Sequence, residues 1–204
     1  MPGSTLNWNT VNIPRGQRVE IWAKLAVPGA GARLTLHTDL TPESVANPNA
    51  LHLGRTEDGA ELRYATTLAH KVSDEFDAPF DTTIEVVEGI IAATIMPTLD
   101  TQIMEVLMPG TTRAVGSGYE ELPFGGSIGA PSKYSVAAIW RMPEDNTKVA
   151  VFHLYNAIQD NALAFRVRKS GNAIGSTPIA FRGFAVASRA AGDQTGKFWK
   201  QVTV

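Results

Sequence analysis

Hydrophobic and polar residues alternate with a period of two over much of this chain, the spacing that turns one face of a strand inward and the other outward. Over residues 18–27, Val19, Ile21, Ala23, Leu25 and Val27 share one face, and Arg18, Glu20 and Lys24 lie on the other. Pro28-Gly29-Ala30-Gly31 supplies a turn and alternation resumes over 33–37, which predicts a hairpin. Residues 39–50, rich in Pro, Asn and Thr, read as loop. Leu53 to Gly59 reads as a turn bounded by Gly54 and Gly59. Strands are predicted after it over 62–72, 82–87 and 89–95, the last two meeting at Glu88-Gly89. Five more are predicted over 134–142, 148–156, 162–169, 178–187 and 197–204. In the fourth of these, Gly183 after Phe181 marks close packing in a core strand.

The period changes once. After Pro97, Leu99, Ile103, Val106 and Leu107 fall at i, i+4, i+7 and i+8, with Thr98 placed to cap a helix and Asp100 at its positive end. Pro109-Gly110 stops it. Residues 111–131 carry Gly116, Gly118, Gly125, Gly126 and Gly129 with little periodicity, so a long loop or projecting arm is expected. The fold class is therefore mainly β: a β-sandwich or barrel-like domain with one short flanking helix and long loops. A length of 204 residues suits one such domain, with an N-terminal arm over 1–16 and a long Gly-rich loop over 110–132.

Charge adds a feature that the periodicity does not show. Between Asp39 and Glu105 there are 13 carboxylates against Arg55, Arg63 and Lys71, a balance of −10, whereas residues 1–38 carry +3 and 106–204 carry +5. Such segregation suits surfaces that meet charged partners. The overall charge of −2 argues against a dedicated binder of nucleic-acid phosphates. No cysteine is present, which rules out disulfides, thiolate metal sites and a cysteine nucleophile. No apolar run is long enough to cross a bilayer as a helix, and Met1-Pro2-Gly3-Ser4 does not begin a secretory signal, so a soluble protein without membrane insertion is expected.

Motifs with chemical potential fail on context. Gly125-Gly126-Ser127-Ile128-Gly129 has the letters of a nucleophile elbow, with Asp145 and His153 following in hydrolase order, but Pro123 and Pro131 bracket it where a strand and a helix are required. Residues 192–197, from Gly192 to Lys197, have three residues between the glycines and Phe198 where a phosphate loop needs Ser or Thr; a turn before the last strand is expected. His37, His52, His70 and His153 lack metal-ligand spacing. Asp74, Glu75, Asp77 and Asp81 crowd four carboxylates into eight residues without the glycine and regular spacing of a calcium loop, and read as a solvated acidic connection. Trp8, Trp22, Trp140 and Trp199 are scattered, which suits core or interface packing. No catalytic, metal or cofactor site is predicted.

The sequence Leu53-Gly54-Arg55-Thr56-Glu57-Asp58-Gly59 resembles the opening of the conserved region of tailed-bacteriophage major tail tube proteins. In that family an L-G-x-T-x-x-G turn leads into a strand, an acidic D-E-x-x-x-P-x-D connection, a long hairpin and a short helix. Asp74-Glu75 and Pro79-Phe80-Asp81 match the connection, residues 82–95 the hairpin and 98–108 the helix. The resemblance implies a non-enzymatic virion protein that forms hexameric rings with a continuous inner β-barrel. The rings would stack into the tail tube, contact other tail proteins, and let DNA pass to the host without specific binding. It makes Glu85 and Glu88 candidates for the lumen, and Asp74, Glu75, Asp77, Asp81, Tyr119, Phe124 and Trp8 candidates for contacts between subunits. The alternative class is a receptor- or carbohydrate-binding module of a phage particle, with specificity in its loops.

Overall fold

The computed structural model describes residues 11–12, 19–37, 41–71, 81–96, 100–124, 130–143, 145–163 and 176–201. Its strands are β1 (Val11–Asn12), β2 (Val19–Ala23), β3 (Leu51–Lys71), β4 (Asp81–Ile95), β5 (Ala114–Gly116), β6 (Tyr119–Glu121), β7 (Tyr134–Met142), β8 (Asp145–Gln159), β9 (Thr177–Gly183) and β10 (Gly196–Lys200). The helix α1 spans Thr101–Leu107. Antiparallel pairing runs β3-β2-β7-β8-β9-β4, and β4 returns to β3, which closes a six-stranded barrel. The mainly β, barrel-like class is thus the architecture of the chain.

Alternation explains the closure. Val19, Ile21 and Ala23 of β2, Val136, Ala138 and Trp140 of β7, Leu154 of β8, Ile179 and Phe181 of β9, and Ile91 and Ile95 of β4 all enter one core. Ile103, Val106 and Leu107 of α1 join that core, so the helix covers the barrel interior near the end where β4 finishes. Asp100 is the N-cap and accepts from the Gln102 amide at 2.7 Å; Thr98 lies outside the described residues.

The predicted hairpin over 18–37 does not form. Lys24, in the left-handed region at φ 54°, ends β2 and turns the chain off the barrel. Only the turn itself is present, with the Ala32 amide donating to Gly29 O at 3.0 Å. Leu25 and Leu34 instead bury against Ala137, Ile139 and Val151 on the outer face of β7 and β8, with Trp22, Leu36 and Trp199 around them. Removing those leucines from water outweighs pairing the two short segments. Trp140 is in the core, and Trp22 and Trp199 pack at this second cluster.

Two further expectations are corrected. Leu53–Gly59 is part of the 21-residue β3 and not a turn before it; the register moves from Thr56↔Ile95 to Ala60↔Ala93, so Glu57, Asp58 and Gly59 bulge out, with Gly59 at φ 90°. Residues 82–95 form one strand, not two meeting at Glu88-Gly89. Gly89 lies inside β4 because a Cβ there would approach Leu154 Cδ2 to 2.7 Å.

Candidate assembly surface

Among the described residues, three features of the surface have no strand partner from the barrel on at least one side. The largest is the outer part of the β3–β4 hairpin. β9 covers β4 only over residues 90–95, and β1 covers β3 only at Glu61 and Leu62. Residues 64–71 and 81–89 therefore pair with each other alone among the described residues, a ribbon of roughly 25–30 Å at strand rise. Tyr64 (45%) and Val87 (37%) are exposed on it.

Charges along this hairpin are not equivalent. Glu88 lies opposite Ala65, with Oε1 3.9 Å from Arg182 Nη1 on β9. Arg182 also places Nε 2.9 Å from Asp160 Oδ2, an ion-pair distance without hydrogen-bond alignment. Glu88 thus shares a cation instead of presenting a free charge. Glu85 is the extra residue of a bulge, because Thr67↔Val86 is followed by Leu68↔Ile84. Asp81 opens β4 opposite Lys71. Asp74, Glu75, Asp77 and Trp8 lie outside the described residues.

The second feature is a miniature hairpin inside the expected loop. β5 and β6 pair through Ala114↔Glu121 and Gly116↔Tyr119, turned by Gly118 at φ 86°, and form a sheet of their own. The Tyr119 ring lies so close over Gly116 that a Cβ there would meet it at 2.5 Å. An ionic chain holds the hairpin to the barrel. Lys24 Nζ donates to Glu105 Oε2 at 2.6 Å, Glu105 Oε1 accepts from the Arg113 amide at 3.2 Å, and Arg113 Nη1 donates to Glu120 Oε1 at 3.1 Å. Thr101 Oγ1 on α1 closes the chain by donating to Glu120 Oε2. Burial acting alone would raise the Glu105 carboxyl, but Lys24 and the Arg113 amide hold it below the usual carboxylate range. The hairpin still exposes Val115 (66%) and Tyr119 (61%), with Phe124 (80%) beyond it.

The third feature is the edge of β10. This strand pairs with β8 from Gly196↔Leu154 to Lys200↔Ala150, and its other edge has no strand among the described residues. Phe198 is half exposed and stacks on Trp140 at 6.1 Å between centroids.

Of the side chains with catalytic letters, Asp145 and His153 fall among the described residues. Residues 125–129 lie outside the described residues, and Asp145 pairs with Lys148 at 3.0 Å. His153 is buried on β8 with Nε2 2.6 Å from Ser135 Oγ, a serine that the motif reading did not consider. Burial, aided by the Arg189 and Lys197 charges, pushes its pKa down to about 4, so the ring is neutral at pH 7. Both groups are shut away from solvent and serve as each other's partners.

Residues 192–195 are turns and bends before β10, as the spacing suggests, and they carry a structural network. Asp193 accepts from Tyr155 Oη at 2.8 Å and from Arg189 Nη2 at 2.7 Å, and Arg189 Nη1 donates to Pro28 O at 2.7 Å. The guanidinium stands 4.0 Å over the Tyr155 ring. Desolvation, with Asp193 beside it, pushes the Tyr155 hydroxyl up to about 12. This network ties three segments distant in sequence, and no local motif announces it. Among the described residues no group of three His, Asp or Glu side chains is arranged to hold a metal.

No protein-family model and no curated protein sequence matches this chain.

Proposed function

We propose that this protein is a structural subunit of a phage tail tube, non-enzymatic, which polymerises through its unpaired β edges into stacked hexameric rings. The observation that carries the reading is the outer β3–β4 ribbon. A two-stranded ribbon is marginal in water by itself, and this one has no third strand over residues 64–71 and 81–89 among the described residues. Unpaired N–H and C=O rows are a liability for a monomer and a means of joining for a ring subunit. The sequence resemblance at Leu53–Gly59 and at the acidic connection 74–81 points the same way, although the turn and the 82–95 hairpin that it implies are each part of a single strand.

A head-to-tail ring with acids on its bore would repel DNA and let it slide. Glu85 is the better candidate for that lining, since Glu88 is drawn to Arg182. Other tail proteins would cap and initiate the tube. Sedimentation velocity over a concentration series tests the reading: assembly predicts species far larger than 21.9 kDa that grow with concentration. A monomer or dimer at every concentration, with or without phage initiator proteins, favours a binding module instead.

A further inference from the structure

Resting on the assembly reading, we infer that the open edge of β10 in one subunit receives β6 of a second copy, side by side and parallel, so that the miniature hairpin becomes part of its neighbour's sheet. Both partners are incomplete in the protomer. The β5–β6 sheet has strands of three residues, with all of β6 exposed, far below what stands alone in water. Yet its position is fixed by the chain Lys24–Glu105–Arg113–Glu120, which presents it as a preformed element. β10 has one edge on β8 and, among the described residues, no strand on the other.

Their side chains match. On β6, Glu120 turns back to Arg113 and Thr101, which leaves Tyr119 and Glu121 on the other face. On β10, Trp199 belongs to the outer cluster, and Phe198 and Lys200 alternate with it to the other side. Each strand thus offers an aromatic residue and, two positions on, a charge, with opposite signs. Parallel addition sets Tyr119 against Phe198 and Glu121 against Lys200, an aromatic pair and an ion pair of the kind that stabilises neighbouring strands. Antiparallel addition would oppose unlike groups. The contact joins two different surfaces, so it either closes as a reciprocal two-fold pair or propagates head to tail; the ring reading takes the head-to-tail form, which covalent species beyond dimer distinguish.

The chain has no cysteine, so introduced thiols report cleanly. In a chain carrying Glu121→Cys and Lys200→Cys, a short bismaleimide should give a ladder of covalent multimers on a denaturing gel, whereas either substitution alone puts no second thiol at the contact and should remain monomer. Glu121→Lys and Lys200→Glu should each raise the concentration at which assembly begins roughly tenfold, and the double reversal should restore it. Both positions are exposed, and unchanged circular dichroism confirms that the variants fold. Assembly that proceeds with no ladder and no effect of either reversal overturns this contact and leaves the assembly reading standing. Wild-type protein that never assembles overturns both.

Discussion

Leu154 is the point where the barrel wall is tightest, and its removal allows a quantitative test of the packing. Its side chain is 1% exposed, and its Cδ2 would lie 2.7 Å from a Cβ at Gly89 and 3.0 Å from one at Gly183. Two strands thus lack side chains at the place where this leucine inserts. In Leu154→Ala the hole is bordered by two glycines with no atoms to fill it, so the loss belongs toward the upper part of the range for such changes, about 4 kcal/mol. Gly89→Ala alone forces Leu154 aside, at a cost of about 1–3 kcal/mol, against which the gain from removing a strand glycine is about 0.5–1 kcal/mol. In the double variant the new methyl enters the vacated space. The two losses should then fall short of adding by about 1.5–2 kcal/mol. Urea unfolding followed by tryptophan fluorescence, at low protein concentration, measures all four corners of the cycle. Additivity within about 0.5 kcal/mol would refute the account of Gly89 as a packing glycine.

Other expectations follow from the polar groups. His153 has a folded-state pKa of about 4 against an ordinary 6.5, so the unfolded chain binds the extra proton between those values. Its contribution is intact above pH 6.5 and is lost as pH falls to 4, by about 3 kcal/mol in all. His153→Phe, although it strands Ser135, should flatten that part of the stability profile; an unchanged slope contradicts the burial argument. Asp193→Asn weakens the hold on Arg189 and Tyr155 and should cost about 1–2 kcal/mol in thermal or urea unfolding, less than Leu154→Ala. Glu105→Ala should leave the barrel folded while hydrogen exchange at residues 114–121 quickens severalfold, because the acceptor that ties Lys24 to the Arg113 amide is removed.

Alternation made most of the barrel legible. β7 coincides with the run predicted for 134–142, β2 lies within its run, β8 extends past its run at both ends, and β9 matches the predicted 178–187 only as far as Gly183, because each has one face in the core. The second half of β3 matches the run predicted over 62–72, but its first half escaped recognition because Gly54 and Gly59 are turn signals locally, whereas pairing with β2 and β4 carries the ladder through them. At Gly89 a glycine read as punctuation is there for a neighbour, Leu154, that lies 65 positions away. The β5–β6 hairpin was hidden because three-residue strands have too few positions to show a period, and its anchors Lys24 and Glu105 lie on other elements. The network of Tyr155, Arg189 and Asp193 depends on the fold to bring β8, the 186–195 loop and Pro28 together. Of the surface residues singled out in the sequence, Tyr119 and Phe124 are exposed and available for contact, while Glu88 has a partner within the chain.

The central claim is that the unpaired edges serve assembly, and negative-stain electron microscopy of the purified protein over a range of concentrations tests it most directly. The account predicts rings with an open bore, and hollow rods of stacked rings as concentration rises. A uniform field of compact particles of monomer or dimer size at every concentration would contradict it.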